Sequence, residues 1–353
     1  MNEIPDVVVV GGINFDFLAR GAHLPRAGQT RRGEQFQAAP GGKGLNQAVG
    51  AARLGAKVAL VARCGADETG NRCVKTLQEN GVITSWVVRD ENAHTGRAVI
   101  VVDREGEKMI VAVPGANARL APSDVKAAAA VIKKAKVLVI NLEAPLPAAV
   151  AAAKLAREAG VKVVLDPAPA MPLPDQLLAL CDVVRPDAFE AHVLTGVEIL
   201  SRADARRAAR RLRKLGAAAA VVQAPDGDLV VSAEGERWLP RYNVKSVDST
   251  GAGDAFVAGV AAALAEGALT AQAAMLGSVC AALATTRLGA VAGLPTRSEA
   301  LELLGAGRHE LLESLTAGRE PRLRHSPHRR RSETRKLLRN GLRGSTVRGL
   351  PLI

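Results

Sequence analysis

The stretch Asp248-Ser249-Thr250-Gly251-Ala252-Gly253-Asp254 runs directly into the apolar segment Ala255–Ala265. A turn of small residues opening a helix leaves backbone N–H groups without intrahelical partners, at the positive end of the helix dipole. Such an end binds anions. The amides of Gly251, Ala252 and Gly253 are therefore read as an anion hole, and the carboxylate of Asp254 at its rim as a general base. That combination suits phosphoryl transfer to a hydroxyl.

Outward from this stretch, strand-like and helix-like segments alternate. Val7–Val10 is a short β-branched run between Asp6 and Gly11-Gly12, which predicts a buried strand. Gly44–Leu54 predicts a helix, Lys57–Ala62 a strand, and Asp67–Asn80 a helix stopped by Gly81. Pro122–Lys134 (helix), Val137–Asn141 (strand), Pro147–Ala159 (helix) and Lys162–Asp166 (strand) repeat the unit. Ser201–Leu215, Ala218–Gln223, Gly253–Ala265 and Ala271–Thr285 close it as helix, strand, helix and helix. Alternation of this kind predicts an α/β fold, a mostly parallel sheet covered by helices on both faces. Two segments break the rhythm, Phe15–Ala39 and the hairpin-like Arg97–Val113 around Asp103-Arg104-Glu105-Gly106. Both are read as strands of a small lid, within about 15–40 and 97–113.

The chain has 353 residues, 48% of them hydrophobic but only 2% aromatic, so its core must be built from Ala, Val and Leu. Cys64, Cys73, Cys181 and Cys280 are scattered without a C-x-x-C pair, which argues against zinc or a disulfide framework and fits a reducing cytoplasm. The acidic start leads into the first strand, so no signal peptide is expected. The longest apolar run is too short to span a bilayer. The net charge of +12 suggests nucleic acid until it is located. Residues 318–353 hold eleven Arg or Lys against two Glu, so +9 of the total lies there. This tail, rich in Arg, Ser, Pro and Gly, is expected to be disordered and dispensable, with nucleic-acid binding as the alternative. The catalytic domain is expected to occupy 1–317.

A second glycine cluster, Gly41-Gly42-Lys43-Gly44-Leu45-Asn46-Gln47-Ala48, lets a backbone approach a ligand closely and adds donors at Lys43 and Asn46. It has neither P-loop nor dinucleotide spacing. Taken with Asp248–Asp254, it resembles the two signatures of the ribokinase-like (PfkB) family of sugar and nucleoside kinases. Gly12-Ile13-Asn14-Phe15-Asp16, Gly115-Ala116-Asn117, Leu142-Glu143-Ala144-Pro145 and Asp166-Pro167-Ala168-Pro169-Ala170 follow the same family pattern in order. The likeness covers about Val7 to Leu304.

The resemblance implies a three-layer ribokinase-like fold and ATP-dependent phosphorylation of D-ribose at O5. Another small sugar, a nucleoside, or a degenerate sugar-binding module are the alternatives. Asn14, Asp16, Gly42, Lys43, Asn46 and Glu143 would hold the sugar hydroxyls, and Asp254 would take the proton. Mg²⁺ would accompany ATP. A monovalent cation, K⁺, would sit by Asp248, Thr250, Ala284, Arg287, Gly289 and Gly293, mostly on backbone carbonyls. The nucleotide side would involve Asp187, Glu190, Gly253, Ser278 and the segment Gln223-Ala224-Pro225-Asp226-Gly227-Asp228. Members of the family usually carry Asn where Asp187 stands and a glycine-rich loop at 223–228. Pro225 removes a donor there, and Asp226 and Asp228 add charge, so altered or weakened nucleotide binding is expected. A homodimer through the lid is also expected, because exposed strands invite pairing.

Overall fold

The computed structural model describes residues 4–305; the basic segment 318–353 lies outside them. In chain order the strands are β1 (Val7–Val10), β2 (Asn14–Gly21), β3 (Gly33–Gly41), β4 (Val58–Gly65), β5 (Ile83–Asp90), β6 (Gly96–Val102), β7 (Lys108–Val113), β8 (Val137–Asn141), β9 (Lys162–Asp166), β10 (Val183–Val184), β11 (Ala220–Ala224), β12 (Gly227–Ser232) and β13 (Gly235–Pro240). The helices are α1 (Lys43–Arg53), α2 (Glu68–Glu79), α3 (Pro122–Ala127), α4 (Ala129–Ile132), α5 (Leu146–Glu158), α6 (Asp175–Leu178), α7 (Ala188–Thr195), α8 (Arg202–Lys214), α9 (Ala252–Ala265), α10 (Thr270–Ala284) and α11 (Ala290–Gly293).

The main sheet has nine strands in the order β13-β12-β11-β10-β9-β8-β1-β4-β5. From β11 to β5 neighbours run parallel, and the β11–β12 and β12–β13 pairs at the other end are antiparallel. Alternating side chains of β1 enter opposite layers. Val7 and Val9 pack with α1, α2, α9 and α10, whereas Val8 and Val10 pack with α3, α4, α5 and α6. This is the three-layer α/β arrangement the alternation predicts. Aromatics are replaced by alanine: α9 and α10 pack largely through Ala and Gly, and Phe256 is the large side chain buried between them.

Several boundaries differ from expectation. Pro122–Lys134 is not one helix, because the backbone leaves helical geometry at Ala128 (φ −88°, ψ 6°). Strands β5 and β13 lie at the two edges of the sheet, where burial is incomplete and apolar alternation is weak. No helix among the described residues is long and apolar enough to cross a membrane.

The two irregular segments form a second sheet of four strands, ordered β3-β2-β6-β7. Register places Asn14, Asp16 and Leu18 on the same face as Ala98, Ile100 and Lys108. The other face carries Val99, Met109, Val111 and Val113, with Phe36 on β3, all exposed.

Strand order reverses at β1, whose neighbours β4 and β8 lie on opposite sides. In open α/β sheets, ligands bind at such a switch point, outside the carboxyl ends of the strands.

One residue ties the base of the lid to the main sheet. Asp67 caps α2 by accepting from the Gly70 N–H at 2.7 Å, and also accepts from the Thr95 N–H and hydroxyl at 2.8 and 2.7 Å. Burial would raise its pKa, but these bonds and one from Thr69 outweigh it and hold the carboxyl well below its usual range. A depressed acid contributes stability above its unfolded pKa and loses it as pH falls. Asp67→Ala should therefore cost roughly 2–4 kcal/mol in urea unfolding at pH 7. The difference should shrink below about pH 4. A pH-independent difference would contradict the account.

Candidate active site

The carboxyl ends of the parallel strands deliver the first group of side chains. Gly11-Gly12 follow β1, Asn141 ends β8, Asp166 ends β9, and Arg185 follows β10. The N-termini of α1 and α9 point at the same place, and the lid adds Asn14 and Asp16 from β2. At the start of α1, Gly42 has φ 90°, and a Cβ there would lie 2.5 Å from the Asn14 N. Glycine is what allows α1 to begin directly against the lid.

Lys43 stands at the centre. Its Nζ lies 3.1 Å from Asp166 Oδ2 and 3.7 Å from Asp254 Oδ1. Its backbone N–H donates to Glu143 Oε2 at 2.8 Å. Asn46 Nδ2 donates to Asp254 Oδ2 at 2.8 Å. Gln47 Nε2 donates to both Asp166 Oδ2 (2.7 Å) and Asp254 Oδ1 (3.1 Å). Asn141 Nδ2 in turn holds Gln47 Oε1 at 3.0 Å. On the lid side, Asn117 Nδ2 donates to Asn14 Oδ1 (2.8 Å), and Asn14 Nδ2 donates to Glu143 Oε1 (3.2 Å).

Acceptors outnumber donors in this cluster. Asp16 Oδ1 and Asn46 Oδ1 are shielded from solvent and have no hydrogen-bond partner. Burial, then the charge of Asp254, pushes the Asp16 carboxyl up to about 7. Burial also lifts Glu143 to about 7 despite Lys43. Asp254 is raised by burial too; Lys43 opposes the shift and Asp166 adds to it. For Lys43, burial favours the neutral amine, but Asp166, Asp254, Glu190 and Glu143 outweigh it and keep the ammonium charged. Such a pocket calls for a ligand rich in hydroxyl donors.

Gly251 caps α9 with φ 80°, the left-handed geometry that glycine favours. The amide of Ala252 donates to the Ser249 carbonyl at 3.2 Å, whereas those of Gly251 and Gly253 have no acceptor among the described residues. Two free amides therefore flank one that is already engaged. Beneath them, Asp248 Oδ1 accepts from the Thr250 N–H (2.9 Å) and hydroxyl (2.7 Å), and Oδ2 accepts from the Gly289 N–H at 2.8 Å. Ala284 ends α10, and its carbonyl oxygen lies 2.6 Å from where a Cβ on Gly293 would sit. The Arg287 side chain turns away to pair with Glu299.

Two cavities border this cluster. One, of about 250 Å³, lies between the inner lid face at Asp16 and the segment 289–292. The other, of about 620 Å³, is lined by Lys43, Asp254, the 251–253 turn, Asp187 and Glu190. Asp187 and Glu190 form a capping box on α7: each backbone N–H meets the other's carboxylate at 2.7 Å. Each carboxylate keeps one oxygen outside that box. Burial, then Asp166, raises Glu190 to about 7.

Of the 223–228 segment, only Gln223 and Asp228 line the larger cavity, together with Ser278. Ala224 and Gly227 pair across the hairpin, with Pro225-Asp226 as its two-residue turn. Asp226 points outward to Arg202 at 2.8 Å.

The sugar-side candidates and Asp254 thus come together, as do the positions around Asp248. Sequence reasoning did not assign site roles to Asp166, Gln47, Asn141, Asn117, Arg185 or Arg241. Asp166 was readable as the last residue of a predicted strand, and Gln47 as part of the second glycine cluster. Nothing in the local sequence distinguishes Arg185.

Residues 5–297 match the family described as pfkB family carbohydrate kinase. The chain is similar to the ribokinase of Haemophilus influenzae, 38% identical over 299 residues that make up 84% of this chain and 98% of that protein. It is similar to the ribokinase of Mus musculus, 39% identical over 263 residues, or 73% of this chain and 81% of that protein. Among solved structures, the Arabidopsis thaliana ribokinase complexed with ribose and ATP matches with a TM-score of 0.77 and 29% identity, covering 86% of this chain and 99% of that one.

The acceptor surplus has a stability cost that titrates. The folded pKa of Asp16, about 7, lies above its unfolded value. Its contribution therefore favours the folded state below about pH 4 and is lost as pH rises towards 7. Asp16→Asn should stabilise the ligand-free protein at pH 8 by roughly 4 kcal/mol, converting that shift at 1.36 kcal/mol per unit. The gain should vanish near pH 4. Urea unfolding across this range checks it, and a destabilised variant at pH 8 would contradict it.

Proposed function

The chain belongs to the pfkB family of carbohydrate kinases, and from that premise we propose that it transfers the γ-phosphate of ATP to O5 of D-ribose, forming ribose 5-phosphate. The observation that carries this reading is the placement of Asp254. Its carboxylate is buried in the first turn of α9, next to the free amides of Gly251 and Gly253, and is oriented by Asn46 and Gln47. A base held beside an anion hole needs only an acceptor hydroxyl and a phosphate brought to it.

The unpartnered oxygen of Asp16 in the lid-side cavity, and that of Asn46 beside Asp254, support a polyol held between the lid and α1. Asp16 would accept from neighbouring hydroxyls, with Asn14, Gly42, Lys43 and Glu143 completing the cradle. The relatives named ribokinase support ribose as that polyol. Asp254 then takes the O5 proton as O5 attacks the γ-phosphorus and the bond to ADP breaks. Lys43 opposes the rise that burial imposes on Asp254 and so favours the ionised form that acts as the base. The amides of Gly251 and Gly253 receive the charge that builds on the transferring group; Ala252 joins them by releasing Ser249.

Asp187 and Glu190 present free carboxylate oxygens to the larger cavity, a donor set that suits Mg²⁺ through its waters. When bound, Mg²⁺ supplies charge neutralisation on the phosphates. The carbonyl of Ala284, at the negative end of α10 and close against Gly293, suits a larger, weakly hydrated cation such as K⁺. Thr250, Arg287 and Gly289 would add carbonyls, and Asp248 would hold the loop in place. The four buried, unpaired cysteines support a cytoplasmic location.

The outer lid face, with Phe36 71% and Val111 65% exposed, supports a homodimer formed lid to lid. Light scattering should show a dimer, and Val111→Glu should convert it to monomer; a parent protein that is already monomeric contradicts this.

The activity itself is checked with ribose, ATP, Mg²⁺ and K⁺ in a coupled ADP assay. Wild type should turn over, and Asp254→Asn should lose about 10³-fold or more in kcat while keeping its ribose affinity. Ribose binding without turnover in wild type would instead favour a non-catalytic sugar-binding module.

A further inference from the structure

Arg185 is a buried cation with unspent donors. Its side chain is 8% exposed and lines the larger cavity. Its backbone is held by the Leu165 carbonyl at 2.9 Å, and its guanidinium lies over the Phe256 ring, 4.5 Å from the centroid. Nη2 stands 3.9 Å from Asp228 Oδ1, too far for a hydrogen bond. Neither Arg185 Nε nor Asp228 Oδ1 has a partner among the described residues. Nη1 lies 3.4 Å from the point a Cβ on Gly253 would occupy. The guanidinium therefore borders the amide end of α9.

Leaving a buried guanidinium unsatisfied is costly, whereas a phosphate takes two of its N–H groups at once. The charges of the cavity point the same way. Asp166, Asp187, Glu190, Asp228 and Asp254 all line it. Lys43 is engaged by Asp166, Arg241 donates to the Ala224 carbonyl, and Lys108, the other lysine lining the cavity, stands exposed on the lid strand β7. Beyond the charge that Mg²⁺ would neutralise, a polyphosphate among these carboxylates gains from a fixed, buried cation beside the 251–253 turn. Asp228 attracts Arg185 without consuming its hydrogen bonds, so the fork stays available.

Resting on the kinase reading above, we propose that Arg185 anchors the phosphate chain of the donor nucleotide beside the 251–253 turn, with Asp228 and Phe256 as its positioning residues. The Asp228 carboxylate, which adds negative charge to the nucleotide side, thereby serves to aim a cation at it.

The test is a calorimetric series of adenosine, AMP, ADP and ATP against wild type, Arg185→Met, Arg185→Lys and Asp228→Asn, with ribose binding and thermal melting alongside. Arg185→Met should weaken ADP and ATP by about 10- to 100-fold, from the worth of hydrogen bonds to a charged group. Adenosine and ribose affinities should stay within about twofold of wild type, as uncharged ligands make no use of an ionic fork. Arg185→Lys should recover part of the loss, and it carries the test alone if the Met variant fails to fold. Asp228→Asn should raise KM for ATP and leave kcat nearly unchanged. Equal losses for adenosine and ATP, or no loss, would overturn the anchor. Wild-type protein that binds ribose but no ATP would overturn the kinase reading itself, and the anchor with it.

Discussion

The site depends on a single ammonium shared between carboxylates from two layers. Lys43 at the start of α1 faces Asp166 at the end of β9 and Asp254 in the first turn of α9. Gln47, one turn along α1, bonds both of the same carboxylates. Without these contacts, two buried acids would face each other with no compensation, a situation that proteins normally resolve by protonation. With them, the rise that burial imposes on the Asp254 carboxyl is opposed by Lys43, Asn46 and Gln47. The glycines at 42 and 251 serve this arrangement by letting two helix N-termini converge on the carboxyl ends of the strands.

The cluster still holds more acceptors than donors. Asp16, Glu143 and Glu190 are all lifted to about 7, so the ligand-free protein carries unfavourable charge near neutrality. Hydroxyl donors on one side and cations with phosphate on the other would relieve it. On the proposed reading, stability is traded locally for readiness to bind, and the two cavities would divide the work between a phosphoryl-acceptor side under the lid and a phosphoryl-donor side along α9 and α10.

Much of this was legible in the sequence, for identifiable reasons. Val7–Val10, Val137–Asn141 and Lys162–Asp166 are short buried runs whose boundaries follow from β-branched composition and flanking breakers, and each forms as expected. The turn at 248–254 and the cluster at 41–48 were readable because glycine beside a helix start has a local meaning. Strands β5 and β13 were not readable, since edge strands need no strong alternation. The Asp187–Glu190 pair was read for its ligand chemistry, but it also caps α7, and local spacing cannot separate these uses. At 223–228 the charges of Asp226 and Asp228 look alike in sequence. A two-residue turn sends one outward to Arg202 and buries the other near Arg185. Arg185 itself was invisible, because its meaning lies in partners from β12 and α9 that only tertiary structure brings near.

The central claim is that a buried base beside an anion hole receives the primary hydroxyl of a pentose held by the lid-side acceptors. The most direct measurement is ³¹P and ¹³C NMR of the product formed from ribose and ATP. A single phosphate ester on C5 is the result this account predicts. Transfer to another carbon, or to water alone, would contradict it.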